Sequence, residues 1–241
     1  MLKTILKNLI KKIPFALSRN HGYDLYTKQI IKQVCTPTSS CVDVGCHKGE
    51  ILDIILAFAP QGVHFAFEPI PHLYDGLVSK YKSNDKIKIF RQALSDRQGQ
   101  AEFNHVITNP AYSGIKKRTY DNACEKDEKI KVELNTLDNC IPINQNIDLI
   151  KIDIEGGEYD MLKGAKKILQ RCQPTLIFEH GLGASDAYGT EPKDLYGYLS
   201  SLGYNTYLLD DYLKNNEGLS QEQFIEQYYQ QINYYFVASV K

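Results

Sequence analysis

Ser40-Cys41-Val42-Asp43-Val44-Gly45-Cys46-His47-Lys48-Gly49-Glu50, running on into Ile51-Leu52-Asp53-Ile54-Ile55-Leu56-Ala57-Phe58, is the stretch from which the rest of the chain is read. Cys41 to Val44 is short and β-prone, apolar apart from the acid at Asp43. Gly45 and Gly49 bracket a loop. Beyond it, apolar residues at Ile51, Ile54, Ile55 and Phe58 fall on one face of a helix. Strand, glycine turn and helix in this order make a ligand cradle. Gly45 lets the backbone turn tightly against a ligand, and the helix start presents free N–H groups.

What the loop lacks narrows the ligand. A dinucleotide cradle carries G-x-G-x-x-G and a P-loop carries G-x-x-x-x-G-K-[ST]. Here the chain reads Asp43-x-Gly45-x-x-x-Gly49, with His47 where a middle glycine would sit, which weakens a pyrophosphate reading. Asp43 suits a ligand with an ammonium group and no phosphate. S-adenosylmethionine, whose methionyl end carries an ammonium and a carboxylate, meets that description. Taken alone, the loop is equally an ordinary α/β turn with a helix cap.

With 241 residues, 43% of them hydrophobic and 24% charged, the chain has the material for one large α/β domain and a small extension. A net charge of -1 argues against a general nucleic-acid binder. None of the six cysteines (Cys35, Cys41, Cys46, Cys124, Cys140, Cys172) forms a C-x-x-C pair or a zinc spacing with histidine, as expected for reduced thiols in a cytoplasmic protein. Residues 1–38 are expected to form a helical extension and 39–241 the main domain. Within the first, Leu2, Ile5, Leu6, Leu9 and Ile10 make an apolar face and Lys3, Lys7, Lys11 and Lys12 a basic one. The lysines interrupt the apolar run, so residues 1–20 are not a secretory signal. They read as a helix packed on its own domain or, alternatively, as a peripheral contact with an anionic inner-membrane surface.

A second helix is expected from Asp24 to Val34, ended by Thr36-Pro37-Thr38-Ser39-Ser40. Strand-like runs then alternate with helical patterns, the signature of a parallel sheet. The expected parallel strands are Cys41 to Val44, Val63 to Phe67, Ile87 to Phe90, Ile147 to Ile152 and Thr175 to Phe178, with helices starting near Gly49, Pro71 and Glu158. Ala101 to Ile107 and Lys129 to Leu134 read as an inserted antiparallel pair. Asn205 to Leu209 and Tyr234 to Val240 read as closing antiparallel strands, with one short helix, Gln221 to Gln230, between them.

The chemistry sits where these strands end. Glu68, in Glu68-Pro69-Ile70-Pro71, is placed to accept both ribose hydroxyls of an adenosine ligand, with Pro69 stiffening the turn. Ala93 and Leu94, in the run Arg91 to Asp96, would flank the adenine. Asp153 and Glu155 share one side of the next strand end if the chain stays extended. Gly156-Gly157 turns the chain, and Glu158 suits a helix N-terminus. Clustered carboxylates also suit a divalent cation, although no metal ligands are assigned. Glu179 and His180 face the same edge, and an imidazole is suited to proton removal. His47 would shape the cofactor loop.

Taken together, Asp43-Val-Gly-Cys-His-Lys-Gly49, Phe67-Glu-Pro-Ile-Pro71, Gln92-Ala-Leu-Ser-Asp96, Thr136-Leu-Asp138, Lys151-Ile-Asp-Ile-Glu-Gly-Gly-Glu158, Leu162-Lys-Gly-Ala165 and Pro174 to His180 resemble, in order, the FkbM-type S-adenosylmethionine-dependent methyltransferases. The likeness covers roughly Ser39 to Gly203. It departs at Cys46-His47, where the family more often has a small residue and an asparagine. The resemblance implies a class I methyltransferase fold, a Rossmann-like seven-stranded sheet that is mostly parallel with an antiparallel C-terminal strand. It also implies O-methylation of a hydroxyl on a sugar, glycan or secondary metabolite. On that basis Asp43, Gly45, His47, Gly49, Glu68, Pro69, Ala93, Leu94 and Asp153 are expected to hold the cofactor. His180, Asp153 and Glu155 are the catalytic candidates, and Tyr112, Ser113 and Glu179 the acceptor contacts. An RNA methyltransferase and a non-catalytic S-adenosylmethionine-binding protein remain as alternatives, and oligomeric state is left open.

Overall fold

The computed structural model describes residues 18–120 and 124–240. Residues 1–17 of the basic amphipathic segment lie outside the described residues. Helix α1 (Arg19–Val34) begins five residues earlier than its periodicity predicts, because the Ser18 side chain caps it by accepting from His21 N at 3.2 Å. It is followed by β1 (Cys41–Val44), α2 (Glu50–Phe58), β2 (His64–Phe67), α3 (Pro71–Tyr81) and β3 (Ile87–Phe90). Next come β4 (Gln92–Leu94), β5 (Gly99–Val106), β6 (Asp127–Asn135), α4 (Leu137–Cys140) and β7 (Leu149–Ile152). The remainder is α5 (Glu158–Lys163), α6 (Lys166–Cys172), β8 (Thr175–Glu179), α7 (Pro192–Ser201), β9 (Asn205–Leu208), α8 (Leu209–Lys214), α9 (Gln221–Tyr229) and β10 (Tyr235–Ser239).

Seven strands form one sheet in the order β3-β2-β1-β7-β8-β10-β9. The β3–β2, β2–β1, β1–β7 and β7–β8 pairs are parallel, while β10 is antiparallel to both β8 and β9. This is the expected mostly parallel sheet with a reversed C-terminal strand. From β1 the chain winds outward to β3 and then returns to β7 on β1's other side. Strand order therefore reverses beside β1, where open α/β sheets bind ligands.

Three local expectations are corrected. The inserted antiparallel pair, β5 with β6, gains a third strand, since Gln92 to Leu94 pairs in parallel with β6. Ala93, Phe103, Val132 and Leu134 then bury one face of this small sheet against Ile70 and Leu73. The second correction is α7, which begins at the proline following the loop Leu182 to Glu191 and buries Leu195 and Leu199. The third is α8, which follows β9 without a loop. Its short Leu-Asp-Asp-Tyr-Leu-Lys pattern buries Leu209 and Tyr212 on the sheet.

Both faces of the sheet are covered. On one, Cys41, Leu149, Ile177 and Val237 meet Ile30 and Ile31 of α1, Ile55 of α2 and Tyr212 of α8. On the other, Val42, Ile150, Leu176 and Phe236 meet Met161, Ile168, Leu199 and Phe224 from α5, α6, α7 and α9. No described helix is long and apolar enough to cross a membrane.

Candidate active site

A cavity of about 710 Å³ opens at the carboxyl edge of β1, β2, β7 and β8. Its polar wall follows from strand alternation. The face that carries Cys41, Leu149, Ile177 and Val237 in the core presents, at the sheet edge, Asp43, Lys151 and Glu179 two residues on along the parallel strands and Tyr235 two residues earlier on the antiparallel β10. Those four side chains and Asp153, just past β7, line the cavity.

On the β1–β2 side, Gly45 has φ +77°, and a Cβ there would lie 1.9 Å from the Asp153 carbonyl oxygen, so only glycine fits the turn. Gly45 N and Cys46 N donate to Phe67 O at 3.0 and 3.1 Å, docking the loop on the end of β2. Gly49, at φ +76°, starts α2 and packs on Tyr81, but it does not line the cavity. His47 takes φ +50° and donates its backbone N–H to Glu68 Oε2 at 2.9 Å. Ile70 N donates to the other oxygen, Oε1, at 2.9 Å, so Glu68 is held from both sides at the cavity wall. Burial pushes Glu68 up to about 7 against the pull of those two N–H groups.

Asp43 is 1% exposed, and neither carboxylate oxygen meets a donor in full hydrogen-bond geometry, although the Cys46 thiol and the Leu52 amide lie beside it. Burial raises its pKa, and the Lys151 ammonium opposes that rise. A buried carboxylate without a full partner, facing a cavity, is suited to pair with a cationic ligand group. Pro69, Ala93 and Leu94 also line this part of the cavity.

On the β7–β8 side, oxygens of Asp153, Glu155 and Glu179 lie within 4.8 Å of one another. The chain does not stay extended past β7. Glu155 sits at φ +57° and Gly156 at φ +102°, so Glu155 reaches the cavity from a turn, which still sets it beside Asp153. Glu158 closes that turn by accepting from Ile154 N at 2.9 Å and Gly156 N at 3.3 Å. Asp153 Oδ2 accepts from Lys151 Nζ at 3.0 Å and from the Tyr235 hydroxyl at 2.7 Å. Burial works to raise Asp153, yet Lys151 and Tyr235 hold it below the usual carboxylate range. Glu155 is pushed up to about 8 by burial and by Asp153, despite an ion pair with Arg118. Glu179 is raised well above its ordinary value by burial and then by Asp153 and Glu155. Of the three, Asp153 is thus the carboxyl held in its charged form, while burial and the neighbouring acids favour the protonated forms of Glu155 and Glu179.

His180, expected among the catalytic candidates, lies outside the cavity, as Gly49 does. One residue past Glu179, it points to the opposite face, where it is 1% exposed and stacks on Tyr228 at 4.8 Å and Phe224 at 5.8 Å. Burial pushes it down to about 3, and it does not line the cavity. It therefore cannot take a proton from a molecule bound there. Tyr112 and Ser113 do line the cavity, with Arg118 placed 4.7 Å over the Tyr112 ring.

Sequence reading missed Lys151, Tyr235 and Arg118 as site residues. Lys151 had a signal, a lone charge inside the apolar run Leu149-Ile150-Lys151-Ile152. Tyr235 and Arg118 lay in segments with no motif. The cavity also has walls from α1 (Tyr23, Asp24, Thr27, Lys28) and from the chain before β10 (Gln231, Asn233).

The methyltransferase FkbM domain matches residues 43–206. The 2-O-methyltransferase NoeI of Sinorhizobium fredii is 28% identical over 159 residues, an alignment spanning 61% of this chain and 65% of that protein. Methyltransferase sdnD of Sordaria araneosa is 28% identical over 185 residues, spanning 62% of this chain and 71% of that protein. The chain thus spans about two thirds of the length of these relatives. The crystal structure of methyltransferase FkbM from Methylobacillus flagellatus KT has the same fold at a TM-score of 0.53, with 14% identity, covering 96% of this chain and 57% of that one. The matched segment begins at Asp43 and contains Glu68, Asp153 and Glu179, so the polar wall of the cavity is built largely from the shared domain, and the chain belongs to the FkbM methyltransferase family.

Proposed function

We propose that the chain transfers a methyl group from S-adenosylmethionine to a hydroxyl of a sugar, glycan or secondary-metabolite acceptor. The observation that carries this reading is the buried, unsatisfied Asp43 carboxylate in the same cavity as Glu68, with the Asp153 cluster at its other side. Asp43 would receive the cofactor's ammonium. Glu68 has lone pairs left on both fixed oxygens for a ribose diol. Ala93 and Leu94 would border the adenine.

When bound, S-adenosylmethionine supplies an electrophilic methyl carbon on sulfur. The protein's share of the work is alignment and proton removal. Asp153, kept ionised by Lys151 and Tyr235, is the group to accept the hydroxyl proton. Glu155 and Glu179, whose protonated forms burial favours, would in that form donate hydrogen bonds to neighbouring acceptor oxygens, with Tyr112 and Ser113 beside them. The name of NoeI, a 2-O-methyltransferase, supports transfer to oxygen. The chain's net charge of -1 offers no general excess of basic residues for a phosphate backbone, which disfavours RNA as the acceptor. Three carboxylates form a donor set for a divalent cation, but Lys151 already sits on Asp153 and Arg118 on Glu155. Treatment with EDTA is therefore expected to leave cofactor affinity and methyl transfer unchanged. A tenfold loss restored by magnesium would assign the cluster to a metal.

The test of the cofactor site is calorimetry. Glu68→Ala should weaken S-adenosylmethionine binding at least tenfold with the fold intact by circular dichroism, because hydrogen bonds to a charged group are worth about 1.5–3 kcal/mol. Unchanged affinity would remove Glu68 from the site. Labelled-methyl transfer into a lysate, with the product identified by mass spectrometry, names the acceptor.

A further inference from the structure

Lys151 lies in the middle of β7 and is 5% exposed. An ammonium this deeply buried needs anions around it. Its register partner on β1 is Asp43, so the two side chains leave the same face of the sheet. Its Nζ donates to Asp153 Oδ2, the oxygen that also accepts from Tyr235. Asp43, on the other side, has no donor in full hydrogen-bond geometry, and Lys151 is the one cation acting strongly on it among the described residues. Two carboxylates with different tasks thus flank a single cation.

We propose that Lys151 is a positioning residue whose one buried ammonium serves both Asp43, on the cofactor side of the cavity, and Asp153, at the methyl-transfer side, so that the two are charged as a unit. The inference rests on the cofactor reading above. It assigns to the lysine the role that a bound metal would otherwise fill between acids. Burial opposes the charged form of Lys151, but the Asp153 and Asp43 carboxylates together outweigh it and hold its pKa above the ordinary value, in keeping with this role.

The test needs no acceptor. The titratable and charged groups facing Asp43 are Lys151 and Asp153 of the β7 end, Cys46 of the loop, Glu68 after β2 and Tyr81 of α3. Removing only the charge of Lys151 makes Asp43 keep its proton to higher pH, where it no longer attracts a cation. S-adenosylmethionine affinity is measured by calorimetry from about pH 5.5 to 9 for the wild type, Lys151→Met and Lys151→Arg. The cofactor's own α-amino group and Glu68 titrate in all three chains and drop out of the comparison. The expected result is a pH midpoint at least one unit higher in Lys151→Met, with binding about tenfold weaker just below it, because each unit of pKa is a factor of ten. Lys151→Arg keeps the wild-type midpoint.

A uniform loss of affinity in Lys151→Met, with an unmoved midpoint, would show a merely structural lysine and overturn the proposal. Should Lys151→Met fail to fold, the Asp43→Asn/Asp153→Asn/Lys151→Met chain is expected to recover the fold, since none of the three charges is then left alone. If that chain also stays unfolded, the charge coupling of these three residues is refuted. Wild-type protein that binds no S-adenosylmethionine at any pH fails the cofactor reading instead, a result distinct from either of these.

Discussion

Gly45 and Glu68 show how closely single residues specify this site. At φ +77°, Gly45 is in the left-handed region, and its missing side chain leaves room for the Asp153 carbonyl. Gly45→Ala is expected to lower stability in urea by about 2 kcal/mol or more, combining left-handed strain with a backbone overlap. Unchanged stability would mean that the loop can move away from β7. His47, two residues on, occupies a conformation that glycine and asparagine adopt more readily. Its backbone N–H is spent on Glu68, so the loop and the strand-two acid hold each other. That link is invisible in sequence, where His47 reads only as a lost glycine.

Strand parity is the element-scale rule that sorts the site. Glu179 and His180 are neighbours in sequence and sit on opposite faces of the sheet, one at the cavity and one against Phe224 and Tyr228. A sequence reading that stops at the strand end treats them as one edge. Whether β8 runs through Glu179 decides which of them meets the ligand. His180→Phe is accordingly expected to keep the fold, with stability unchanged or raised by up to about 1 kcal/mol as a buried unpaired ring nitrogen is removed. Cofactor affinity should stay within twofold by calorimetry, and loss of methyl transfer in a folded variant would return His180 to the mechanism. Helix α1 shows the reverse case, a weak motif with a defined position. Tyr23 donates its hydroxyl to Asn233 Oδ1 at 2.9 Å and stacks on Tyr235, and Arg19 donates to Gln231 O at 3.1 Å. These contacts make the segments on either side of the matched domain into a shared wall of the cavity.

At the scale of the molecule, the concentration of buried acids sets how stability depends on pH. Glu68 and Glu158 are pushed up to about 7 and Glu155 to about 8, from 4.5, with burial the first cause in each. The folded chain therefore holds protons that the unfolded chain has released. Stability contributed this way is full below about pH 4.5 and is lost progressively as pH rises from there to about 7–8. His180, pushed down to about 3, acts oppositely, lowering stability as pH falls below about 6.5. Without ligand, thermal unfolding should give a Tm several degrees lower at about pH 8 than at about pH 6, and saturating S-adenosylmethionine should narrow that gap. A Tm that rises over the same interval would contradict the burial of these carboxyls. The overall architecture was legible because the strands are short apolar runs separated by turn residues. The short helices α7 and α8 were not, because each carries only a few apolar positions and gains its face from the sheet.

The local code alone determined the strand–glycine–helix cradle, the acids at Asp43 and Glu68, and the run ending in Asp153 and Glu155. These depend on residue type, spacing and the two-residue period of strands. Only the tertiary structure decided which acids stay charged, that Lys151 and Tyr235 support Asp153, and that His180 faces away. Those outcomes depend on burial and on partners brought in from distant strands, a physical environment that no single stretch of chain contains.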